Sequence, residues 1–451
     1  MFENNKLLIL GFARSGYDAA KVLIKRNNEV YIVDVKEKKD LDSKKIEELE
    51  KLGVHFSLGK NSDSIFDESF DFLIKSPGVP VKHPLVLKAK ELNIEVVNEV
   101  EVAYRLLPSD VDIIAITGTN GKTTTTSLTY NIVKKAYPNT FLAGNIGYPL
   151  CSVLEKVKSK DKIVMEVSCQ QLENLSTFHP HIAVMTNLFE AHIDFFGDFK
   201  TYKQVKAKLF QNQTKEDIAI LNLENEDVLE ETKDILSKKE YFSSKKKSDV
   251  YLKDNKIYVK EEEILDIDCM KIKGMHNVEN VMCALAVAKA LDIDNKTIQE
   301  EVSRFTGVTH RLEYVGEVNQ VKYYNDTEAT NIKCTQIALS SFHEPIVLIL
   351  GGLERGQDFY ELKDYMKNVK AIIGIAQCRN RVKEFGDSMN IQTYTYEYLK
   401  DGFKKCYELA SKKDVVLLSP ASASWDQYKQ CEDRGDEFKN YVKQLEKGCK
   451  L

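Results

Sequence analysis

The sequence predicts an α/β protein built on mainly parallel sheets, and three observations carry that reading. Short apolar runs recur along the whole 451-residue chain, most of them closed by Gly, Asp, Ser or Asn. Stretches with helical spacing separate many of those runs. One glycine-bearing loop, Thr117 to Thr124, lies between such a run and a helix. Strands that alternate with helices imply βαβ units and parallel pairing.

The elements follow in order. Lys6 to Leu10 reads as a buried strand turning at Gly11. Ser15 to Arg26 reads as a helix with Ala19, Val22 and Leu23 on one side. Glu29 to Val33, closed by Asp34, and Phe70 to Lys75, closed by Ser76-Pro77-Gly78, are further strands. A second region opens with the strand Asp112 to Ile116, the glycine loop and a helix from Thr124 to Lys134. It continues through strands at Lys162 to Val167, Ile182 to Thr186 and Ile218 to Leu221. Val250 to Leu252 and Ile257 to Val259, around Asp254-Asn255-Lys256, read as a hairpin, an antiparallel decoration. Asn277 to Leu291 reads as an amphipathic helix. The third region has strands at Val321 to Asn325, Ile346 to Leu350, Ala371 to Ile375 and Val415 to Leu418. Three domains are expected: a Rossmann-like one over 1–105, a central P-loop ATPase-type one over 106–307 and a second Rossmann-like one over 308–451.

Composition narrows the function. Hydrophobic residues make up 43% and charged residues 29%, with a net charge of −5. A mildly acidic chain of mixed charge lacks a global nucleic-acid footprint. No apolar run approaches the roughly 18 residues of a membrane span, and the start does not read as a secretory signal. Nine cysteines occur without a Cys-x-x-Cys pair. That argues against a structural zinc site or a disulfide framework and fits a reducing cytosol. A cytoplasmic, monomeric enzyme without nucleic-acid or membrane partners is the expectation.

The loop Thr117-Gly118-Thr119-Asn120-Gly121-Lys122-Thr123-Thr124 is expected to hold nucleotide phosphates. Glycines let the backbone approach an anion, and the N–H groups and dipole of the following helix point at it. Lys122 would meet the terminal phosphates and Thr123 would reach Mg²⁺. Ile116 stands where the common form of this loop has its first glycine. In a parallel sheet the carboxyl ends of strands gather at one edge. Glu166, at one strand end, and His192, beyond Asn187 with Glu190 and Asp194, are therefore expected near Lys122. From spacing alone, Lys206, in the lysine-rich stretch Tyr202 to Phe210, reads as a solvated lysine. Gly11 to Gly16 with Asp34 resembles a dinucleotide-binding turn whose middle glycine is Ala13. That turn leaves a nicotinamide oxidoreductase, or a fold for another nucleotide diphosphate, open.

The phosphate loop, Glu166-Val167-Ser168, His276-Asn277-Val278-Glu279-Asn280 and His310-Arg311 together resemble the Mur ligase family, over essentially the whole chain. Those enzymes add amino acids to a UDP-linked peptidoglycan precursor. Ser76-Pro77-Gly78, Asn145-Ile146-Gly147, the stretch Asn325 to Asn331, Gly351 to Gly356 and Ser419 to Tyr428 are most similar to the member that adds D-glutamate to UDP-N-acetylmuramoyl-L-alanine. The resemblance implies ATP as co-substrate and Mg²⁺ held by Thr123, Glu166, His192 and a carbamylated Lys206, with Lys122 also catalytic. It implies nucleotide contacts from Gly118, Thr119, Asn120, Gly121, Lys122, Thr123, Thr124, Asn277, Asn280, Arg311 and Asp326. Arg14, Ser15, Asp34, Ser76, Pro77, Gly78 and Asn145 would meet the UDP-sugar. Thr330, Arg355 and Ser424 would meet the amino acid. Glu328 stands where the family member has Lys, Cys431 where it has an aromatic residue, and Cys169-Gln170 where Ser-Phe is common. A sibling ligase with another amino acid or a modified precursor, and a non-catalytic nucleotide-binding regulator, are the remaining alternatives.

Overall fold

The computed structural model describes residues 2–60 and 62–448, without the side chains of Ser62, Asp63 and Asp194. Its strands form three sheets. The first runs His55–Leu58, Glu29–Asp34, Lys6–Leu10, Phe72–Lys75, Glu95–Val97, all parallel. Its chain reversal falls between Lys6–Leu10 and Phe72–Lys75, so Gly11 and Ser76 meet at the carboxyl edge, where Ser76 Oγ donates to Gly11 O at 3.0 Å. Such a switch point is where open parallel sheets place a ligand crevice.

The second sheet runs Glu262–Asp266, Lys256–Val259, Val250–Lys253, Lys238–Ser243, Ile218–Asn222, Ile182–Met185, Asp112–Thr117, Lys162–Glu166, Thr140–Gly144. From Lys238–Ser243 to Thr140–Gly144 it is parallel. The expected hairpin is present, with Val250 opposite Val259 and Lys253 opposite Lys256. The third sheet runs Glu313–Val318, Val321–Asn325, Val415–Leu418, Ile346–Gly351, Val369–Ile375, Gln392–Tyr396. It is parallel except for its first pair. The central strands of each sheet are nearly continuous buried apolar residues, as strands covered on both faces require.

Two sequence expectations are corrected. The helix expected to be amphipathic over Asn277 to Leu291 spans Met275–Ala290, and residues 281–288 are buried on every side. An all-round apolar helix belongs inside a core, not at its surface. Lys206, read as solvated, is 1% exposed. The strands missed in sequence include the edge strands His55–Leu58, Gln392–Tyr396 and Glu313–Val318 and the interior strand Lys238–Ser243, all of mixed burial. They carry no continuous apolar run to announce them.

The chain packs as two compact units. One comprises the residues up to 265 with 279–299, and the other 266–278 with 300 onward. Inside the first unit, the helix Glu99–Leu106 clasps the N-terminal sheet to the second sheet. The buried Glu101 carboxylate accepts from Ser176 N at 3.1 Å, Thr177 N at 2.8 Å, Thr177 Oγ1 at 2.5 Å and Arg105 Nε at 2.8 Å. A fully donor-satisfied buried carboxylate can stay ionised. Its neighbour Glu99 is also buried, and among the described residues only Cys151 N donates to its carboxylate, at 2.5 Å. Burial pushes the Glu99 carboxyl up from 4.5 to about 7.

That contrast sets a pH dependence. Between the unfolded value and about 7 the folded state holds a proton that the unfolded chain has released, so stability falls as pH rises through this window. Glu99→Gln mimics the protonated group. In urea denaturation it should match wild type near pH 5 and be the more stable by about 2–3 kcal/mol at pH 8. An equal difference at both pH values would contradict the assignment.

Candidate active site

The phosphate loop lies at the carboxyl end of Asp112–Thr117, between the ends of Ile182–Met185 and Lys162–Glu166. The helix it opens, Lys122–Ala136, begins two residues earlier than the apolar spacing suggests. Two glycines let the loop lie this close to its neighbours. A Cβ on Gly118, at φ +147°, would sit 1.9 Å from Thr186 Oγ1, and one on Gly121, at φ +81°, would sit 2.2 Å from Asn280 Oδ1. Both values of φ are disfavoured for L side chains. The loop is then held from the adjacent strand end. Thr119 N donates to Asn187 O at 2.9 Å, Asn120 N to Asn187 Oδ1 at 2.9 Å, and Thr186 Oγ1 to Asn120 O at 2.6 Å.

Lys122 folds back over its own loop, donating to Gly118 O at 3.0 Å and Thr119 O at 2.9 Å. Lys206, at the end of the helix Phe199–Ala207, reaches the same place from the other side. Its Nζ donates to Gly118 O at 2.6 Å and to Thr117 Oγ1 at 3.1 Å. Burial, and then the charge of Lys122, push its amine down to about 7. Desolvation disfavours an ammonium, and a second cation adds to the effect.

Glu166 ends its strand 1% exposed. Its Oε1 accepts from Asn145 Nδ2 at 2.7 Å, while Oε2 has no hydrogen-bond partner among the described residues. An orphaned buried carboxylate oxygen is the donor type a hard divalent cation takes. His192 has a left-handed backbone, φ 54°, and its ring centroid lies 6.2 Å from that of Tyr202. Tyr202 in turn hydrogen-bonds Thr119 Oγ1 at 3.0 Å. Thus Lys122, Glu166, Lys206 and His192 share one neighbourhood, with Thr123 and Thr124 in the first turn of the loop helix. Among the described residues no group of three His, Cys, Asp or Glu side chains is disposed to hold a metal. Asn280 joins the neighbourhood through Thr125 Oγ1, which donates to its Oδ1 at 3.3 Å.

Thr186 and Tyr202 are site neighbours that the sequence alone does not single out. Each acts through a contact set by sheet order, and Thr at a strand end or Tyr in a helix carries no special signal.

The residues expected to meet a UDP-sugar split between two places in the first unit. Ser15 lies in the first turn of Arg14–Ile24, and Asp34 closes its strand. Asp34 Oδ2 accepts from Phe12 N at 2.7 Å and Oδ1 from Lys36 N at 2.9 Å, so this carboxylate is engaged in holding the turn. Ser76, Pro77 and Gly78 form the neighbouring turn at the switch point. Arg14 donates to Gly147 O and stacks 5.6 Å from the Tyr148 ring centroid, in the loop that also carries Asn145.

The second unit gathers its own set. Asn277 Nδ2 donates to Lys273 O at 2.8 Å. Arg311 pairs with Glu328 at 2.8 Å. Asp326 is buried, and burial pushes its carboxyl up to about 7 although Ser419 Oγ and Leu312 N donate to it. The loops after Val321–Asn325, Val415–Leu418 and Ile346–Gly351 are adjacent because their strands are. Arg434, 1% exposed, binds them together. It donates to Thr327 Oγ1 at 2.9 Å, Thr327 O at 3.0 Å, Ser422 O at 3.1 Å and Gly351 O at 3.4 Å. On those loops Ser424 is fully buried with an unpartnered Oγ, while Thr330 and Arg355 are exposed. Cys431 O accepts from Thr327 Oγ1 at 2.8 Å, a backbone contact that does not depend on its side chain.

Three family models match the chain: "Mur ligase MurD-like, N-terminal domain" over residues 5–98, "Mur ligase middle domain" over 116–288, and "Mur ligase, glutamate ligase domain" over 310–422. Among curated proteins, the UDP-N-acetylmuramoylalanine–D-glutamate ligase of Geobacillus sp. (strain WCH70) is 39% identical over 448 residues, 98% of each chain. The protein of the same name from Bacillus thuringiensis (strain Al Hakam) is 39% identical over 447 residues, again 98% of each. Among solved structures, the UDP-N-acetylmuramate-alanine ligase of Thermotoga maritima has the same fold. It superposes with a TM-score of 0.59 at 18% identity, over 97% of this chain and 99% of that one.

The packing of the phosphate loop gives a direct test. Gly118→Ala sets a methyl group against Thr186 Oγ1. The strained loop should bind a fluorescent ATP analogue about tenfold or more weakly in an equilibrium titration. Unchanged affinity would mean the loop is not the phosphate site.

Proposed function

The chain belongs to the Mur ligase family, and from that premise we propose that it joins D-glutamate to UDP-N-acetylmuramoyl-L-alanine, consuming ATP, in cytoplasmic peptidoglycan precursor synthesis. The amino acid and acceptor are those in the names of its relatives. The observation that carries the chemistry is the buried amine of Lys206 beside Lys122 and the phosphate loop. No helix among the described residues is long and apolar enough to cross a membrane. The protein works as a monomer in this reading.

A free carboxylate is a poor electrophile, so the terminal carboxylate of the acceptor is first phosphorylated. The loop N–H groups and Lys122 receive the phosphates, and Lys122 gives up its two loop carbonyls to follow the negative charge. Thr123, Glu166, His192 and a carbamylated Lys206 would hold Mg²⁺, and the orphaned Glu166 Oε2 and the lowered basicity of the Lys206 amine fit that role. When bound, the ion screens charge on the transferring phosphoryl group. Carbamylation follows from the environment of Lys206. A neutral amine adds CO₂ and releases one proton, and burial supplies that neutral amine near pH 7. The cation of Lys122, which lowers the amine's basicity, also favours the resulting anion. Asn145, hydrogen-bonded to Glu166, couples the acceptor side of the site to the metal side. The amine of D-glutamate then attacks the acyl phosphate, and the tetrahedral intermediate loses phosphate. Thr330, Arg355 and Ser424 receive the amino acid, and Arg14, Ser15, Asp34 and the Ser76–Gly78 turn receive the UDP-sugar. Asn277, Asn280, Arg311 and Asp326 serve the nucleotide.

Three outcomes are expected. ADP release should require both UDP-N-acetylmuramoyl-L-alanine and D-glutamate, and L-glutamate should support less than a tenth of the rate; equal turnover with L-glutamate would sink the stereochemical claim. Lys206→Arg keeps a charge but cannot form the carbamate, so activity should fall about a hundredfold or more, the scale of losing a metal-site partner. Undiminished activity in that variant would exclude the carbamate. Glu328 competes with phosphate for Arg311 through a half-exposed ion pair of about 0–1 kcal/mol. Glu328→Gln should therefore lower the KM for ATP about two- to fivefold with kcat little changed. A higher KM would mean that Glu328 instead holds Arg311 in its working position.

A further inference from the structure

Trp425 is the one tryptophan of the chain, and it is 62% exposed. So large an apolar surface left in water needs a reason. Its described partner is Arg355, whose Cζ lies 4.6 Å from the ring centroid, well inside cation–π range. The two residues come from loops that follow neighbouring strands, Ile346–Gly351 and Val415–Leu418. Those loops are tied together. Leu353 N donates to Ala423 O at 2.8 Å, Gly351 N to Pro420 O at 2.9 Å, and Gln357 Nε2 to Ser422 Oγ at 2.5 Å. The turn that carries Trp425 is also fixed. Gln427 N and Tyr428 N both donate to Ser424 O, and Asp426 Oδ2 accepts from Gln377 N at 3.2 Å. The ring is therefore presented by an ordered turn.

Arg355 has no carboxylate partner among the described residues. The adjacent Glu354 is instead paired with Arg381 at 2.5 Å. A carboxylate could orient Arg355, but it would also neutralise it and compete with any incoming anion. An aromatic face orients the guanidinium while leaving its planar N–H fork open for a bidentate carboxylate. Next to Trp425 in sequence, Ser424 is fully buried with an Oγ that has no hydrogen-bond partner among the described residues. An uncompensated cation and an unpartnered hydroxyl on tied loops are complementary to a carboxylate ligand.

We propose that Trp425 is a positioning residue for the amino-acid substrate: its ring holds the Arg355 guanidinium in place to receive a carboxylate of D-glutamate. This rests on the ligase reading above. Trp425 touches Arg355 and not the reacting atoms, so its loss falls on amino-acid binding and spares the nucleotide. Trp425→Leu removes the π-face while keeping an apolar side chain, and Trp425→Phe retains the face.

The test is steady-state kinetics on the full chain with each substrate varied in turn. Trp425→Leu should raise the KM for D-glutamate about tenfold, with the KM for ATP within about twofold of wild type, and Trp425→Phe should recover most of the loss. Wild-type tryptophan emission, which reports this residue alone, should change on addition of D-glutamate to the complex with ADP and UDP-N-acetylmuramoyl-L-alanine. An unchanged KM for D-glutamate in Trp425→Leu, an equal rise in all three KM values, or a Phe variant no better than the Leu variant would each overturn the proposal. Wild-type enzyme that turns over normally with D-glutamate while Trp425→Leu is indifferent defeats only the clamp. Wild-type enzyme that does not use D-glutamate defeats the ligase reading and the clamp together.

Discussion

The Gly118 carbonyl accepts from two lysines at once, Lys122 at 3.0 Å and Lys206 at 2.6 Å, and this crowded point governs the site around it. Two amines cannot both be fully charged at such a place without water. Burial and the neighbouring cation shift the balance onto Lys206, which becomes the half-neutral member. The difference between the two amines comes from their burial, because the side chains are chemically identical.

The surrounding packing keeps that point in place. Thr117 Oγ1 donates to Val167 O at 2.7 Å and is thereby turned to accept from Lys206. Thr186 and Asn187 hold the loop from the next strand, and Asn280 closes on Gly121 from the buried helix Met275–Ala290. Any side chain at Gly118 or Gly121 would push these partners apart. The clasp of Glu101 on Ser176 and Thr177 brings the N-terminal sheet to the same unit, and Asn145 reaches Glu166 within it.

The second unit uses a different device. Arg434 is buried with hydrogen bonds, among the described residues, to three carbonyls and a threonine hydroxyl, and burial pushes its guanidinium down to about 10. It joins the three loops that carry Thr327, Gly351 and Ser422 without a carboxylate partner among the described residues. A buried cation of this kind is tolerated because several fixed carbonyl dipoles face it, and removing them would be costly. The loops it ties present Arg355, Trp425 and Ser424, so a residue that reads in sequence as an ordinary helix position holds in place the loops that carry these three residues.

By itself the sequence determined the α/β class, the strand–loop–helix around Gly118, the hairpin at 250–259 and most interior strands of the sheets, though not Lys238–Ser243. These are local: apolar runs, glycines and turn residues act over a few positions, and buried parallel strands advertise themselves as unbroken apolar segments. The residue types at Lys122, Thr123 and Glu166 also followed from strand ends and loop chemistry. The tertiary structure decided what local pattern cannot hold. Lys206 looks like any lysine of a charged helix until the order of strands places its end under Gly118. The helix at Met275–Ala290 looks amphipathic until packing covers both its faces. Arg355 and Trp425 are seventy positions apart and become partners only because Ile346–Gly351 and Val415–Leu418 lie side by side. The glycine loop is therefore legible in the sequence, but the lowered basicity of the amine beside it is a product of desolvation, and desolvation exists only once the chain has folded.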